Sequence, residues 1–539
     1  MTKQKSQEKK KDREQKKSIG VRKEEIVRSI KATEKFITIR ETGELLYFNP
    51  SDGQWYDGTT YVEQFTRVKA GVDYSTSLLR EVRETLKVDT YSDGKSFISP
   101  PEWINLKNGA LNVLTSEFIA RDPEPKYDEE NKKIDDLKEE REKDEGKIKA
   151  TTADDYQRAM EKLDGKYDPL IKEVKETIKR KKSEWKKSET QKFAKFCFTS
   201  TIPVKYNPSA RCTRIDAFFK SMELGDDVVQ GIMELFGYCL LKSYPIKKMF
   251  LFVGPHDTGK STIMSLLEAL LGAENYSSLS LDAMQEDHFE KYKLYHMYAN
   301  ISGELANRFI KDTSLLKELL GSDSVSVRLM FSQKKFNFWN YAKLIFLANQ
   351  IPATYETDND FFPKVLIFEF TKQFKEGEEG TRPKEELMAE LTTEEEISGL
   401  LNKAVMALQE LLKRGKFKTT KSEQENKELY LIKSNPFRYY IDNVLCFNNG
   451  VDQIYDPDGN LVRAYKQDVY ANFVTFCRRY NITGWTDNKF FRLMKKYAKE
   501  EGIPEKRDTD GVWYYSGVSI RNLFPETENS GSDSDIDDL

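Results

Sequence analysis

Histidine and cysteine are scarce in this sequence of 539 residues, which has three histidines and five cysteines. The cysteines lie far apart in the chain, with no C-x-x-C pair and no histidine beside them. Zinc sites need such clusters, so this pattern argues against a zinc protein. Scattered cysteines also favour a reducing, intracellular compartment over a secreted, disulfide-stabilised protein.

Long apolar runs are also absent. No stretch reaches the roughly eighteen consecutive apolar residues of a membrane span, and the polar N-terminus lacks a secretory signal. We therefore expect no membrane association. A formal net charge of -3 gives no overall basic field for nucleic acid, although the N-terminal segment is rich in lysine and the C-terminal segment in acids.

The most informative stretch of the chain lies between Met249 and Gly272. Five apolar residues at its start predict a buried parallel strand, and apolar residues at helical spacing follow from Ile263. Between them stands Gly254-Pro-His-Asp-Thr-Gly-Lys-Ser261, which is a GxxxxGK[ST] pattern in the context of strand, loop and helix. Such a loop closes its backbone N–H groups around a phosphate, and the helix N-terminus adds its dipole.

We predict that this loop binds a nucleoside triphosphate. Lys260 would reach the β- and γ-phosphates, and the Ser261 hydroxyl would ligate Mg²⁺. The alternative, an unoccupied glycine turn, is disfavoured by the flanking strand and helix. The candidate binding residues are Gly254, Pro255, His256, Asp257, Thr258, Gly259, Lys260, Ser261 and Thr262.

Two further strand ends carry polar residues that an NTPase needs. A carboxylate must lie beside the γ-phosphate to orient the attacking water, and Glu304 follows the strand-like run from Tyr298. Asn349 ends the apolar run from Lys343, and its amide could hold that water or sense the phosphate. Alone, either residue would more often be an ordinary polar residue at a strand end. Together with the glycine loop, they favour the functional interpretation.

The segment between these two strands predicts a β-hairpin with a basic tip. Polar and apolar residues alternate on both sides of residues 332–335. In a ring-shaped motor such a tip would project into the pore and grip phosphates, which makes Arg328, Lys334 and Lys335 candidate nucleic-acid contacts. Considered alone, the hairpin is more simply a solvated turn.

These segments, in their order along the chain, resemble the superfamily 3 helicases of the poxvirus, phage and plasmid primase-helicase type, without an evident primase domain. The glycine loop resembles motif A, residues 299–304 motif B, 324–328 with the basic turn motif B-prime, and 347–352 motif C. The resemblance implies an AAA+-like P-loop ATPase with ATP and Mg²⁺ as cofactors. It also implies a hexameric ring that binds ATP between subunits and moves along single-stranded DNA.

The chain departs from this family at two positions. The family usually has an acidic residue just before the catalytic acid, where this chain has Gly303, so Mg²⁺ would depend on Ser261, the phosphates, water and Glu304. After motif C, the family usually has paired arginines, one of which reaches the neighbouring subunit's γ-phosphate. Lys364 is the aligned cation here, and lysine lacks the planar fork of arginine. Either Lys364 serves, or the finger lies elsewhere, or turnover is slow.

The C-terminal part of the chain resembles the winged-helix domain that closes many members of the family. Lys489, Arg492 and Lys495 would contact DNA phosphates from its third helix, although a docking domain with a solvated basic face is an alternative. The charged insertion before the motor is either a solvated structure or an arm for a partner or nucleic acid.

We predict a multidomain, mainly α/β fold. The predicted segments are a basic disordered arm (1–33), a small α+β domain (34–126), a charged, coiled-coil-like helical insertion (127–195), a helical collar (196–245), the AAA+-like ATPase (246–380), a helical lid or linker (381–434), a winged-helix-like domain (435–523) and an acidic disordered tail (524–539).

Two functions remain open from the sequence. The first is an ATP-dependent replicative DNA helicase of a virus or mobile element, acting in the host cytoplasm or at a replication site. Its partners would be single-stranded and forked DNA, further copies of the chain, and a primase, polymerase or other replication protein. The second is a DNA-binding replication initiator or scaffold that uses ATP as an assembly switch and barely unwinds DNA.

Overall fold

A computed structural model describes residues 22–40, 42–92, 97, 99–286, 290–303, 314–320, 324–328, 335–349, 351, 361–374, 382–418, 421–447, 462–480, 482 and 485–521. These residues form a mixed α/β structure with several separate sheets. Among them, no helix combines the length and the apolar character that a bilayer span requires. All five cysteines lie in the described ranges and carry free thiols.

The N-terminal unit is a four-stranded sheet covered by helices, with the strand order β3-β2-β1-β4. Its first two strands pair antiparallel, with Thr38 opposite Leu45, and the alternating apolar residues on either side of Thr42 and Gly43 favour such a hairpin. Its elements are α1 (22–33), β1 (Phe36–Ile39), β2 (Leu45–Asn49), β3 (Gln54–Asp57), α2 (Gly58–Ala70), α3 (Thr76–Asp89) and β4 (Tyr91–Ser92).

Helix α1 corrects the predicted boundary of the N-terminal arm, which the sequence analysis extended to residue 33. Ile26, Val27 and Ile30 of this helix are buried in the core of the N-terminal unit. The lysine-rich composition of the surrounding sequence concealed this short apolar face, because three apolar residues at helical spacing are enough to dock a helix.

A three-stranded antiparallel sheet follows. The Asn108-Gly109 pair predicts a hairpin that turns on these two residues, but the turn lies one residue earlier, at Lys107 and Asn108, because Gly109 already pairs with Leu106. The strands are β5 (Trp103–Leu106), β6 (Gly109–Asn112) and β7 (Phe118–Ala120). Beyond them lies a helical hairpin of α4 (Asp128–Glu145) and α5 (Ala153–Phe193). Ion pairs between Glu130 and Lys181, and between Arg141 and Asp164, show that the two helices run antiparallel, because the partner's number falls as the residue number on α4 rises.

The hairpin has a single break, at residues 146–152. Gly165 and Pro169 favour a second break, but α5 continues through Pro169. Proline in a helix removes one hydrogen bond and crowds the carbonyl group four residues earlier. That earlier residue is Gly165. The helix nevertheless continues, and its buried residues lie on both sides of the proline, including Tyr167 and Val174.

The central sheet is parallel, with the strand order β14-β8-β13-β10-β9. Its strands β8, β10, β13 and β14 consist mostly of buried residues, as strands covered on both faces do. The elements are α6 (Thr213–Ser221), α7 (Asp226–Leu240), β8 (Met249–Val253), α8 (Lys260–Leu271), β9 (Tyr276–Ser277), α9 (Leu281–Glu286), β10 (Ala299–Ser302), α10 (Ser314–Leu319), β11 (Ser324–Arg328), β12 (Lys335–Trp339), β13 (Lys343–Ala348) and β14 (Val365–Glu369).

Helix α7 leads into β8 and is fixed to the sheet by a buried lysine. The Lys343 ammonium donates to the carbonyl oxygens of Leu241, Ser243 and Tyr341, and lies 4.6 Å from the centre of the Tyr238 ring. Burial lowers the pKa of Lys343 to about 7. The lysine therefore satisfies carbonyl groups at the end of α7 that would otherwise be buried without partners.

Three helices follow the sheet: α11 (Lys384–Leu391), α12 (Glu394–Arg414) and α13 (Glu423–Ser434). Helix α12 lies in the segment that was predicted to be a lid or linker, but it packs against α7 as part of the main core. The backbones approach closely, since a Cβ built on Gly237 would lie 2.0 Å from the Ala404 carbonyl oxygen. The fully buried Glu234 accepts hydrogen bonds from the Arg414 guanidinium and the Lys418 backbone.

The C-terminal unit has its own hydrophobic core, which includes Tyr440, Phe473 and Phe490. Three helices pack beside two small sheets with the orders β15-β19 and β16-β18-β17. The elements are α14 (Pro436–Val444), β15 (Leu445–Phe447), β16 (Arg463–Tyr465), α15 (Lys466–Arg479), α16 (Asp487–Glu500), β17 (Glu505–Arg507), β18 (Trp513–Ser516) and β19 (Val518–Ile520).

Candidate nucleotide-binding site

The glycine loop, residues 254–261, joins the end of β8 to the start of α8. Gly259 has φ +80°, a conformation that favours glycine, and immediately precedes the helix. Gly254 is required for a different reason, because a Cβ there would lie 2.2 Å from the Phe370 carbonyl oxygen. The loop therefore follows a tight path that ends with the free backbone N–H groups of a helix N-terminus.

Lys260 lies inside this loop and is only 7% exposed. Its ammonium donates to the Gly254 carbonyl at 2.7 Å, to the Thr258 hydroxyl at 3.0 Å and to the Pro255 carbonyl. Burial lowers the pKa of Lys260, and the nearby Asp257 carboxylate partly opposes this effect. A cation at a helix N-terminus, surrounded by a glycine loop, is the donor set that suits a phosphate group.

The glycine loop is held by the strands on both sides of β8. The Gly254 N–H donates to the Ala348 carbonyl at the end of β13, at 3.2 Å. The segment after β14 runs along the other side, where the Phe374 N–H donates to the Asp257 carbonyl at 2.7 Å. The Gln373 side chain also donates to the His256 carbonyl at 3.1 Å. These contacts fix the loop backbone without involving the N–H groups at the start of α8.

The contribution of residues 370–374 to the site has no local signal in the sequence. The apolar run before them indicates a strand, but no local pattern reveals that this strand lies beside β8. Only the sheet order, with β14 and β13 on the two sides of β8, brings this segment to the loop.

Asn349 lies beside the glycine loop. It follows β13 directly, and its amide nitrogen lies 3.2 Å from the His256 Nε2 atom. Because β13 and β8 are adjacent and parallel, their carboxyl ends meet at the same edge of the sheet. The structure thus brings one of the two predicted strand-end residues to the loop.

Glu304, the other predicted strand-end residue, lies outside the described residues. The strand that leads toward it, β10, pairs with the far side of β13, and Ser302 is opposite Phe346. Gly303 occupies the position at which the family that this sequence resembles usually has an acidic residue. It is exposed, and a Cβ atom built there would meet no atom within 4 Å.

The predicted metal ligand Ser261 is exposed in the first turn of α8. A hydroxyl at this position next to a phosphate cradle is a suitable ligand for Mg²⁺, which usually keeps several waters and binds one or two protein groups plus phosphate oxygens. Among the described residues, there is no group of three or more His, Cys, Asp or Glu side chains that could hold a metal by itself. The Ser261 hydroxyl therefore fits an Mg²⁺ ion that is bound mainly through phosphate oxygens and water.

Lys364 lies at the opposite edge of the sheet. It immediately precedes β14, whose first residue, Val365, pairs with Met249 at the start of β8. The loop and Lys260 follow the other end of β8, so about five strand residues, or roughly 16 Å, separate the two edges. Lys364 is thus not part of the Lys260 site of its own subunit.

The predicted nucleic-acid contacts lie on two other elements. Strands β11 and β12 form the expected hairpin, with Arg328 opposite Lys335, while its tip and Lys334 lie outside the described residues. On α16, the residues Lys489, Arg492 and Lys495 are exposed, and the Lys489 ammonium lies 4.1 Å from the centre of the Trp485 ring.

Comparison with known proteins gives limited further information. A family model described as "Family of unknown function (DUF5906)" matches residues 252–360, which include the glycine loop and Asn349 but make up well under half of the chain. No curated protein matches the sequence.

Two solved structures show distant similarity. The A form apo structure of the NrS-1 C-terminal region has 13% identity and a TM-score of 0.32, over 59% of this chain and 77% of that chain. A second apo structure of that region has 12% identity and a TM-score of 0.31 over the same shares. TM-scores at this level do not establish a shared fold.

Proposed function

We propose that this protein is an ATP-hydrolysing DNA helicase with an AAA+-like P-loop core of the superfamily 3 type. One observation carries the proposal: buried Lys260 lies in a glycine loop at the carboxyl edge of a parallel sheet, next to the strand-end amide of Asn349. Open α/β sheets bind their ligands at this edge. The matching order of the four helicase-like sequence motifs supports the assignment to this class.

In this proposal, each candidate residue of the site has a defined task. The backbone N–H groups at the start of α8 bind the phosphates of ATP, and Lys260 neutralises charge that develops on the β- and γ-oxygens. Glu304 accepts a proton from the attacking water, and Asn349 positions that water. Ser261 would hold Mg²⁺, which neutralises phosphate charge when it is bound.

The remaining parts of the proposal concern assembly and DNA. Lys364 would act on the γ-phosphate of a neighbouring subunit, because it lies too far from Lys260 of its own chain. The β11–β12 hairpin would contact single-stranded DNA, and the winged-helix-like C-terminal unit would contact DNA phosphates through Lys489, Arg492 and Lys495. Such contacts are sequence-independent and become weaker as the salt concentration rises.

The affinity for ATP should fall at alkaline pH. Because burial lowers the pKa of Lys260 below the usual 10.5, the nucleotide-free protein loses this proton earlier than an exposed lysine would. Bound phosphate favours the charged lysine, so above the pKa of the free protein each pH unit should weaken binding about tenfold. Calorimetric titration with ATP between pH 7 and pH 10.5 measures this slope.

Lys260→Arg is the control for this pH dependence, because a guanidinium stays charged throughout the range. The ATP affinity of this variant, whatever its size at pH 7, should not decline as the pH rises to 10.5. An unchanged affinity of the natural protein up to pH 10.5 would contradict a lowered pKa for Lys260.

A forked-duplex assay tests the proposed function against an ATP-switched initiator or scaffold. Gly303 before Glu304 and lysine at position 364 favour slow turnover, and thus the second function. The proposal predicts that the full chain with ATP and Mg²⁺ separates the strands, and that a non-hydrolysable ATP analogue supports DNA binding without separation. ATP-dependent DNA binding with no strand separation would instead identify the switch.

A further inference from the structure

A contact between the side chains of His256 and Asn349 joins the glycine loop to the end of β13. His256 is the third residue of the glycine loop, and Asn349 is the first residue after β13. Their side chains meet at 3.2 Å between the imidazole Nε2 and the amide Nδ2 atoms. Nothing in the phosphate-binding task of the loop requires a histidine, because the loop binds phosphate through its backbone.

Hydrogen bonds fix the backbone on both sides of His256. The Gly254 N–H is bonded to the Ala348 carbonyl, which sets the start of the loop opposite the residue before Asn349. The His256 carbonyl accepts from Gln373, and the next carbonyl, that of Asp257, accepts from the Phe374 N–H. The loop backbone at His256 is therefore held from both flanking strands, and the exposed imidazole lies beside the end of β13.

We infer that His256 is a positioning residue that sets which end of the Asn349 amide takes part in the reaction. An amide has a donating NH₂ end and an accepting oxygen end. When the imidazole carries its proton on Nδ1, Nε2 accepts from the amide Nδ2, and the opposite end, Oδ1, is left for another donor. An acceptor is what an attacking water requires, since water presents its O–H groups to the group that orients it.

This inference rests on the proposed function, because the amide needs a fixed orientation only if Asn349 orients the water in ATP hydrolysis. The role of His256 is limited to the orientation of one side chain. His256 does not bind the phosphates and does not transfer a proton; it prevents the amide of Asn349 from turning over. Loss of His256 should therefore reduce the rate of the chemical step and leave ATP binding almost unchanged.

Steady-state ATP hydrolysis by the full chain, with Mg²⁺ and single-stranded DNA present, tests the inference. His256→Ala should lower kcat about fivefold to tenfold, as expected for the loss of one positioning hydrogen bond. The dissociation constant for ATP, measured by titration calorimetry, should change less than about twofold. A parallel loss of ATP affinity would show that the histidine shapes the loop itself, and would overturn the inference.

Two conservative variants separate positioning from mere space filling. His256→Gln places an amide oxygen near the position of Nε2 and should restore most of kcat. His256→Asn has the same chemistry on a shorter side chain, cannot reach Asn349 and should behave like His256→Ala. Equal activity of the Gln and Asn variants would contradict a role through the Asn349 amide.

A double-mutant cycle with Asn349→Ala provides the second test. Because His256 acts through Asn349, adding His256→Ala to the Asn349→Ala protein should change kcat less than about twofold. An undiminished effect in that background would assign His256 a separate role and overturn the inference. If the natural protein hydrolyses no ATP, the proposed function itself fails; if it does and His256→Ala keeps full kcat, only the inference fails.

Discussion

Lys260→Ala should abolish almost all ATP hydrolysis, with a loss in kcat/KM of about 10²-fold or more. The reason is local charge: Lys260 is the buried cation of the glycine loop, and its ammonium is held inside the loop by the Gly254 and Pro255 carbonyls and the Thr258 hydroxyl. Alanine removes this cation at the point where charge develops on the transferred phosphate. ATP turnover and calorimetric ATP binding, measured on the same preparations, give the size of the effect.

Lys247→Ala is the matched control for this experiment. Lys247 is exposed just before β8, at the opposite end of the strand that carries the glycine loop. The change in net charge is the same in both variants, but only Lys260 lies in the site. Similar losses for the two variants would mean that the glycine loop is not the place where ATP is hydrolysed.

The stability of the central core should be most sensitive to Gly237→Ala. A Cβ at this position would lie 2.0 Å from the Ala404 carbonyl oxygen and 2.8 Å from the Leu408 Cβ atom, so α7 and α12 would have to separate. Overpacking of this kind costs about 3 kcal/mol. For a cooperative unit of this size, we expect the thermal transition of the core to fall by about 5–10 °C, measured by calorimetry.

Gly165→Ala makes the same chemical change in another helix and serves as the control. Nothing lies within 4 Å of a Cβ at this position on α5. Alanine is a better helix former than glycine by up to about 1 kcal/mol, so this variant should melt at the same or a slightly higher temperature. If the Gly237→Ala protein had the same melting temperature as the Gly165→Ala control, the close packing of α7 and α12 would be refuted.

Local patterns predicted the parts of the structure that depend on a few neighbouring residues. The glycine loop follows from the GxxxxGK[ST] spacing, and the Asn108-Gly109 pair indicates the hairpin of β5 and β6 to within one residue of its turn. The strand before the loop follows from a short apolar run. Each of these features is determined within about ten residues, so a single sequence is enough to find them.

Features that depend on distant contacts could not be predicted in the same way. The docking of α1 depends on the core it meets, and the packing of α12 against α7 joins segments that are far apart in sequence. The contact of His256 with Asn349 depends on β13 being the neighbour of β8, and parallel strands are connected by long crossovers whose order has no local signal.

The positions of Lys260 and Lys364 at opposite edges of one sheet restrict how copies of this chain could share a nucleotide. A contact that brings Lys364 of one subunit to the glycine loop of another joins two different surfaces, so it is heterologous. A two-fold dimer pairs one surface patch with the same patch of the other chain. It therefore cannot bring Lys364 of one chain to the glycine loop of the other through one self-paired patch. Repetition of this contact gives either a closed cycle or an open helical filament, and the rotation per subunit decides between them.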